Sequence, residues 1–285
     1  MFSWFRRKKQ DPRQELMAAL GDVEMPTFPA LLGEILRELR DPRSSMGKVG
    51  ELVGRDPTLT IKVIKTVNSV GFGLRRQVES VKHAATLLGR SRLESIVLPL
   101  AVGEALPSEI SQGFEPERFW HAAARRAMIA QQLSALLDPS SRDVSYTASL
   151  LQDMAIPLLA THRSETYGPV LERWHAGEGA LHELEREAFG WTHADVAGWL
   201  CADWGFPEAL AAAITAHHGS DDPELVAPPP VRLVALLGEE PDAELRIEPL
   251  IAMARDELGA DPERVREAVV RGLDGSQEVS RLFAA

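Results

Sequence analysis

The side chains of this sequence best suited to chemistry are a scattered set of imidazoles, carboxylates and guanidinium groups. Asp153 closes the string Leu150-Leu151-Gln152-Asp153, His193 lies in Thr192-His193-Ala194-Asp195-Val196, and His217 and His218 stand together before Gly219. Imidazoles and carboxylates hold divalent ions and move protons near neutral pH. Each position also has an ordinary structural use. A carboxylate at 153 between helices would accept bonds from a helix end or an arginine, because a buried charge needs a partner. Thr192 reads as an N-cap with Asp195 in the first turn, which makes His193 part of a polar helix entry. His217 and His218 fall in a last helical turn, where histidine complements the dipole, and His217 shares a face with Leu210 and Ile214. The structural uses are favoured, and Asp153, His193 and His217 stay as candidate partner or ligand contacts.

Arg75, Arg76, Arg90 and Arg92 gather in two loops and could meet an anionic nucleotide or an acidic partner, although loop arginines are commonly solvated. Asn68 either caps a helix or belongs to a docking surface with the loops 68–76 and 91–94. Gly71-Phe72-Gly73 lacks the preceding strand and the Gly-Lys-Ser/Thr ending of a phosphate loop. Cys201, within an apolar helix from Val196 to Trp204, reads as a packed thiol. Phe2, Trp4 and Phe5 run into Arg6, Arg7, Lys8 and Lys9. That segment is either a solvated terminus or a hook for an anionic membrane or a partner.

The elements that must position these groups are helices. Hydrophobic residues make up 45% of the 285-residue chain and aromatics only 6%. Period-2 runs of β-branched residues are missing, so the composition points to an all-α protein. A net charge of -11 disfavours nucleic acid as a partner. One cysteine and no long apolar run fit a cytoplasmic protein, peripheral at the inner membrane if the N-terminal hook operates. Punctuation marks the helices: Ser44 or Ser45 caps one, Asp56-Pro57 opens the next, Gly89 closes Val81–Leu88, and another runs from about Ser91 to Leu106. A long helix from about Glu117 to Leu137 and a short one near Tyr146–Gln152 follow. Ser220–Pro230 reads as a linker, with helices at Val231–Leu237, Pro249–Leu258 and Pro262–Leu273 beyond it. The expected division is 1–22, 23–220 and 221–285, the last a helical annex.

Met25-Pro26-Thr27-Phe28-Pro29, Arg55-Asp56-Pro57-Thr58-Leu59-Thr60, Val67-Asn68-Ser69-Val70-Gly71-Phe72-Gly73 and Ala84-Ala85-Thr86-Leu87-Leu88-Gly89 together resemble the HDOD family, the HD-related output domains of bacterial signalling. The likeness continues through Phe119-Trp120, the Asp153 and His193 strings, Trp204-Gly205-Phe206-Pro207 and His217-His218, over roughly residues 23 to 220. It implies two helical lobes, the second related to HD phosphohydrolases. Active HD enzymes use an upstream His, a His-Asp pair and a further Asp for a divalent ion. On that pattern the pair reads Gln152-Asp153 and the upstream position is Ala122, so the metal site is expected to be lost. The expectation is therefore a non-catalytic signalling module with no metal or cofactor, binding a partner such as a cyclic-dinucleotide enzyme, a kinase or a motility protein. The alternative is a sensor of a nucleotide second messenger in the degenerate HD cleft.

Overall fold

The computed structural model describes residues 27–68, 77–107, 115–220, 222–238 and 244–283, together with Gln14, Met17 and Ala18. The N-terminal aromatic and basic residues Phe2, Trp4, Phe5, Arg6, Arg7, Lys8 and Lys9, and the loop arginines Arg75 and Arg76, lie outside the described residues. Every regular element among the described residues is helical, as the composition requires.

Among the described residues of 27–107, four helices form the N-terminal group: α1 (Ala30–Arg40), α2 (Met46–Val53), α3 (Pro57–Asn68) and α4 (Val81–Ala105). Ser45 caps α2 through the Lys48 amide. Asp56 accepts from the amides of Thr58 and Leu59 at the start of α3, with Pro57 at its first position. At Gly89 the backbone turns to φ 74°, so α4 is two helices joined at a kink. Its second half is buried nearly all round, from Leu93 to Val102, because it lies between the N-terminal group and the helices that follow.

Those are α5 (Pro116–Leu137), α6 (Arg142–Leu151), α7 (Ala155–His162), α8 (Ser164–His175), α9 (Leu181–Phe189), α10 (His193–Asp203) and α11 (Glu208–Thr215). One continuous apolar core runs from Leu32 on α1 to Ile214 on α11. Cys201 is fully inside it, and burial pushes its thiol up. A Cβ at Gly198 would meet Thr215 Oγ1 at 2.4 Å. The absence of a side chain there lets α10 and α11 approach closely, which fixes where His193, His217 and His218 stand.

The C-terminal helices α12 (Pro229–Val234), α13 (Glu248–Leu258) and α14 (Pro262–Ser280) build a second core on the far side of α5, where Ile129 and Leu133 meet Val234, Leu250 and Val265. Helix α14 continues past the expected end at Leu273, because Gly272, Gly275 and Ser276 are buried small residues along its contact with α5. Phe283 stacks on Trp120 at 4.5 Å.

Candidate metal centre

Four ligand-bearing side chains converge from three places in the chain. Asp153 sits in the turn between α6 and α7, His193 is the first residue of α10, and His217 and His218 occupy the turn after α11. One ligand atom from each lies within 4.8 Å of all the others. His193 Nε2 is 3.3 Å from His217 Nε2 and 3.2 Å from His218 Nε2. Asp153 Oδ1 is 3.5 Å from Nε2 of both His193 and His217.

Local structure explains why these atoms face one another. Thr192 and Asp195 form the capping box expected from the sequence. The amide and Nδ1 of His193, however, both reach Glu185 Oε2, at 2.8 and 2.7 Å. Glu185 is fully buried on α9, and the Tyr167 hydroxyl donates to its other oxygen. His217 Nδ1 lies 2.7 Å from the Ile214 carbonyl, which can only accept. Both imidazoles therefore carry a hydrogen on Nδ1 and turn Nε2 inward as the atom available to a metal ion. Arg126, on α5, donates to Asp153 Oδ2 and leaves Oδ1 facing the histidines.

This donor set fits a divalent ion. A tetrahedral ion with bonds of about 2.0–2.1 Å places neighbouring ligand atoms about 3.3–3.4 Å apart, close to the four separations above. Imidazole nitrogen with one carboxylate oxygen suits zinc, iron or manganese, and the Nδ1 bonds to Glu185 and to a carbonyl are the outer contacts that hold ligating histidines in place. The electrostatics also ask for positive charge. Burial would lower the His193 pKa, but Glu185 and Asp153 overcome it and push it up to about 10. Burial would raise Asp153, yet Arg126, then His193 and His217, hold it well below the usual carboxylate range. His218 is driven down by burial and by the neighbouring His217, His193 and His182. Burial, and after it Glu185, raises Tyr167, so its hydroxyl stays a donor.

Two cavities meet at His218. One, of 290 Å³, is lined by Arg126, Gln152, Trp174, Leu181 and, from the C-terminal helices' side, Leu236 and Leu237. The other is an open cleft of 960 Å³ whose lining carries Glu183, Glu187, Asp195 and Asp222 against Arg186. His182, stacked on His218 at 4.0 Å, borders both.

The remaining candidates stand apart from this cluster. Both ends of the Asn68 carboxamide bond the backbone of Val78, at 2.8 Å each. Arg90 donates to the carbonyls of Glu38 and Leu39, satisfying the open C-terminal end of α1, and to the carbonyl of Ser44 in the following turn. Arg92 lies near Arg142, whose pKa is lowered chiefly by burial and secondarily by that neighbour. His218, Glu185, Tyr167 and Arg126 are site residues that the sequence reading did not select. The adjacency of His218 to His217 was a usable signal, whereas nothing in the sequence marks Glu185 apart from the other acids of α9.

An all-helical core thus carries a buried histidine and carboxylate cluster whose geometry could hold a metal ion. The chain belongs to the HDOD domain family, which matches it over residues 25–220. Among solved structures it is similar to a "Putative signal transduction protein" of Marinobacter aquaeolei VT8, 24% identical, covering 96% of this chain and 66% of that one with a TM-score of 0.73. It is also similar to a "Putative phosphohydrolase" of Shewanella amazonensis SB2B, 20% identical, covering 93% and 97% with a TM-score of 0.72. A "Putative metal-dependent phosphohydrolase" of the same organism is 18% identical, covering 96% and 99%, at 0.62. These identities establish a shared fold. An uncharacterized protein of Treponema pallidum is 24% identical over 212 residues, and the chain spans 41% of its length.

The expectation that this is not an enzyme has to be corrected. It rested on the missing imidazoles at Ala122 and Gln152 and treated His193, His217 and His218 as separate helix-end residues. The fold brings those three to Asp153 as a possible metal-binding set, and proteins of the same fold carry phosphohydrolase names. Counting ligands along the sequence missed this because α9, α10 and α11 fold the distant positions together.

Proposed function

We propose that this HDOD protein acts in signal transduction through one divalent ion held by Asp153, His193, His217 and His218, and that a phosphate ester is what meets it. The observation that carries this reading is the convergence of Nε2 atoms whose partner Nδ1 hydrogens are already committed to Glu185 and Ile214. A bound ion would supply Lewis acidity toward a phosphoryl oxygen and a more acidic water. The protein's own groups do the rest. Glu185 and Tyr167 orient His193, Arg126 presents one oxygen of Asp153, and Ile156, Trp174 and Leu181 give the adjoining cavity an apolar lining. The phosphohydrolase names of the similar structures support the choice of phosphate esters.

Elemental analysis of the purified protein, paired with a phosphatase and phosphodiesterase screen in Zn²⁺, Mn²⁺ and Fe²⁺, tests it. About one ion per chain and turnover lost in Asp153→Ala are expected. Protein that stays metal-free after incubation with all three ions would remove the reading.

We also infer that the output passes to a partner protein. The supporting observation is the 960 Å³ cleft, whose carboxylates Glu183, Glu187, Asp195 and Asp222 outnumber Arg186 and the Arg173 that pairs with Glu187, a net negative lining that suits a basic segment. Crosslinking that survives Glu183→Lys with Glu187→Lys unchanged would count against it.

A further inference from the structure

The 290 Å³ cavity beside the cluster is closed on one side by residues 235–238, which lie beyond the family's match at residue 220. Two successive arginines of α5 hold that wall: Arg125 Nη2 donates to the Gly238 carbonyl at 2.6 Å, and Arg126 Nη1 reaches the Leu237 carbonyl at 3.4 Å. Leu236 is 40% exposed although its neighbours Leu233 and Leu237 are buried, and it lines the cavity. Ile156, Trp174 and Leu181 complete an apolar surround, so the cavity joins an apolar wall to a charged floor.

The charge on that floor selects the ligand. With a divalent ion in place, the carboxylates of Asp153 and Glu185 and the Arg126 guanidinium leave one unit of positive charge among neutral imidazoles. A buried excess charge is costly unless paired. A volume of 290 Å³ is at the lower limit of small-molecule sites.

We propose that this cavity is a binding site for a small, singly charged oxyanion with an apolar body, its charged end at the Asp153–His218 cluster and its apolar end on Leu236. The inference rests on the metal reading above and adds the ligand class and the contribution of the C-terminal segment. Singly charged carboxylates and singly protonated alkyl phosphates share this chemistry.

Titration calorimetry of zinc-loaded full-length protein tests it with acetate, butanoate and hexanoate, and in a parallel arm at pH 6 with methyl and butyl phosphate. Affinity should rise about fourfold for each added methylene that becomes buried, from roughly 0.8 kcal/mol per CH₂. The arm with the tighter short member identifies the source of the oxyanion. Leu236→Ser, at a half-exposed position, should flatten the chain-length series while acetate or methyl phosphate binds as before. Zinc content measured on the same samples separates the failures. Protein without zinc overturns the metal reading and this one with it. One zinc per chain with no oxyanion binding, or with no dependence on chain length, overturns the ligand inference alone.

Discussion

Two imidazoles whose Nδ1 hydrogens are held by acceptors have nothing to donate to each other, and in this cluster they face a carboxylate that has nothing to donate either. A proton or a cation must sit among them. Because His193 is pushed up to about 10 in the metal-free protein, that proton is present at neutral pH and an entering ion has to displace it. The sign follows directly. Metal affinity should increase as pH rises, by about tenfold per unit between pH 7 and 9 for one displaced proton. Calorimetry in buffers of different ionisation enthalpy should count close to one proton released per ion. Glu185→Gln keeps the shape but weakens the hold on His193 Nδ1, and a loss of 10- to 100-fold in zinc affinity is expected. Competition with a chromogenic chelator measures it; an unchanged affinity would leave Glu185 as a helix-end acceptor only. At this scale the sequence showed the residue types at 153, 193 and 217, together with the capping box at 192–195. It could not show that they meet, since each reading assigned a residue to its own helix, and Glu185 looked like any acid on an exposed face.

The helices were more legible than the site because their signals are local. Asp56-Pro57, Ser45, Gly89 and the Thr192 box act within one turn of the residues that carry them. The end of α14 was not legible, because a Gly-Leu-Asp-Gly run suggests a break unless a neighbouring helix needs small residues to come close. Gly198 is the same physics at the site. Gly198→Ala places a Cβ against Thr215, whose hydroxyl bonds the Ala211 carbonyl, so α10 and α11 must separate or Thr215 must turn. The expected cost is about 1–3 kcal/mol in urea unfolding, with a weaker metal site because His193 moves relative to His217. Gly198→Ala combined with Thr215→Ala, which removes the clashing Oγ1, should recover part of both. Arg90→Ala should cost a similar amount, about 1–3 kcal/mol, by stranding carbonyls at the end of α1.

Across the whole molecule, the ligands join the turn after α6 to α10 and the turn after α11, and Arg126 ties the cluster to α5, on which the C-terminal helices also pack. Metal binding should therefore stabilise the fold as a unit. At a free zinc concentration of 100 times Kd the gain is about 2.7 kcal/mol, read as a rise in thermal midpoint that a chelator reverses. An unchanged midpoint at saturating zinc would mean that the ion contributes nothing to the native state. Among the described residues no helix is long and apolar enough to cross a membrane. The family and the all-α class could be read from the sequence because their motifs are dispersed along its whole first three-quarters. The docking of the C-terminal helices could not, since it depends on the far side of α5.

The pair of bonds between Asn68 and Val78 has a practical consequence for anyone altering the protein. Residues ten apart in sequence are stapled backbone to side chain, at 2.8 Å in both directions, so positions 68 and 78 are held at a fixed separation. Lengthening the connection between two such fixed points is inexpensive, about 0.6 kcal/mol for each doubling. An epitope or a recognition peptide spliced in between positions 68 and 78 should therefore leave α3 and α4 in place, with the amide of Asn68 serving as the clasp.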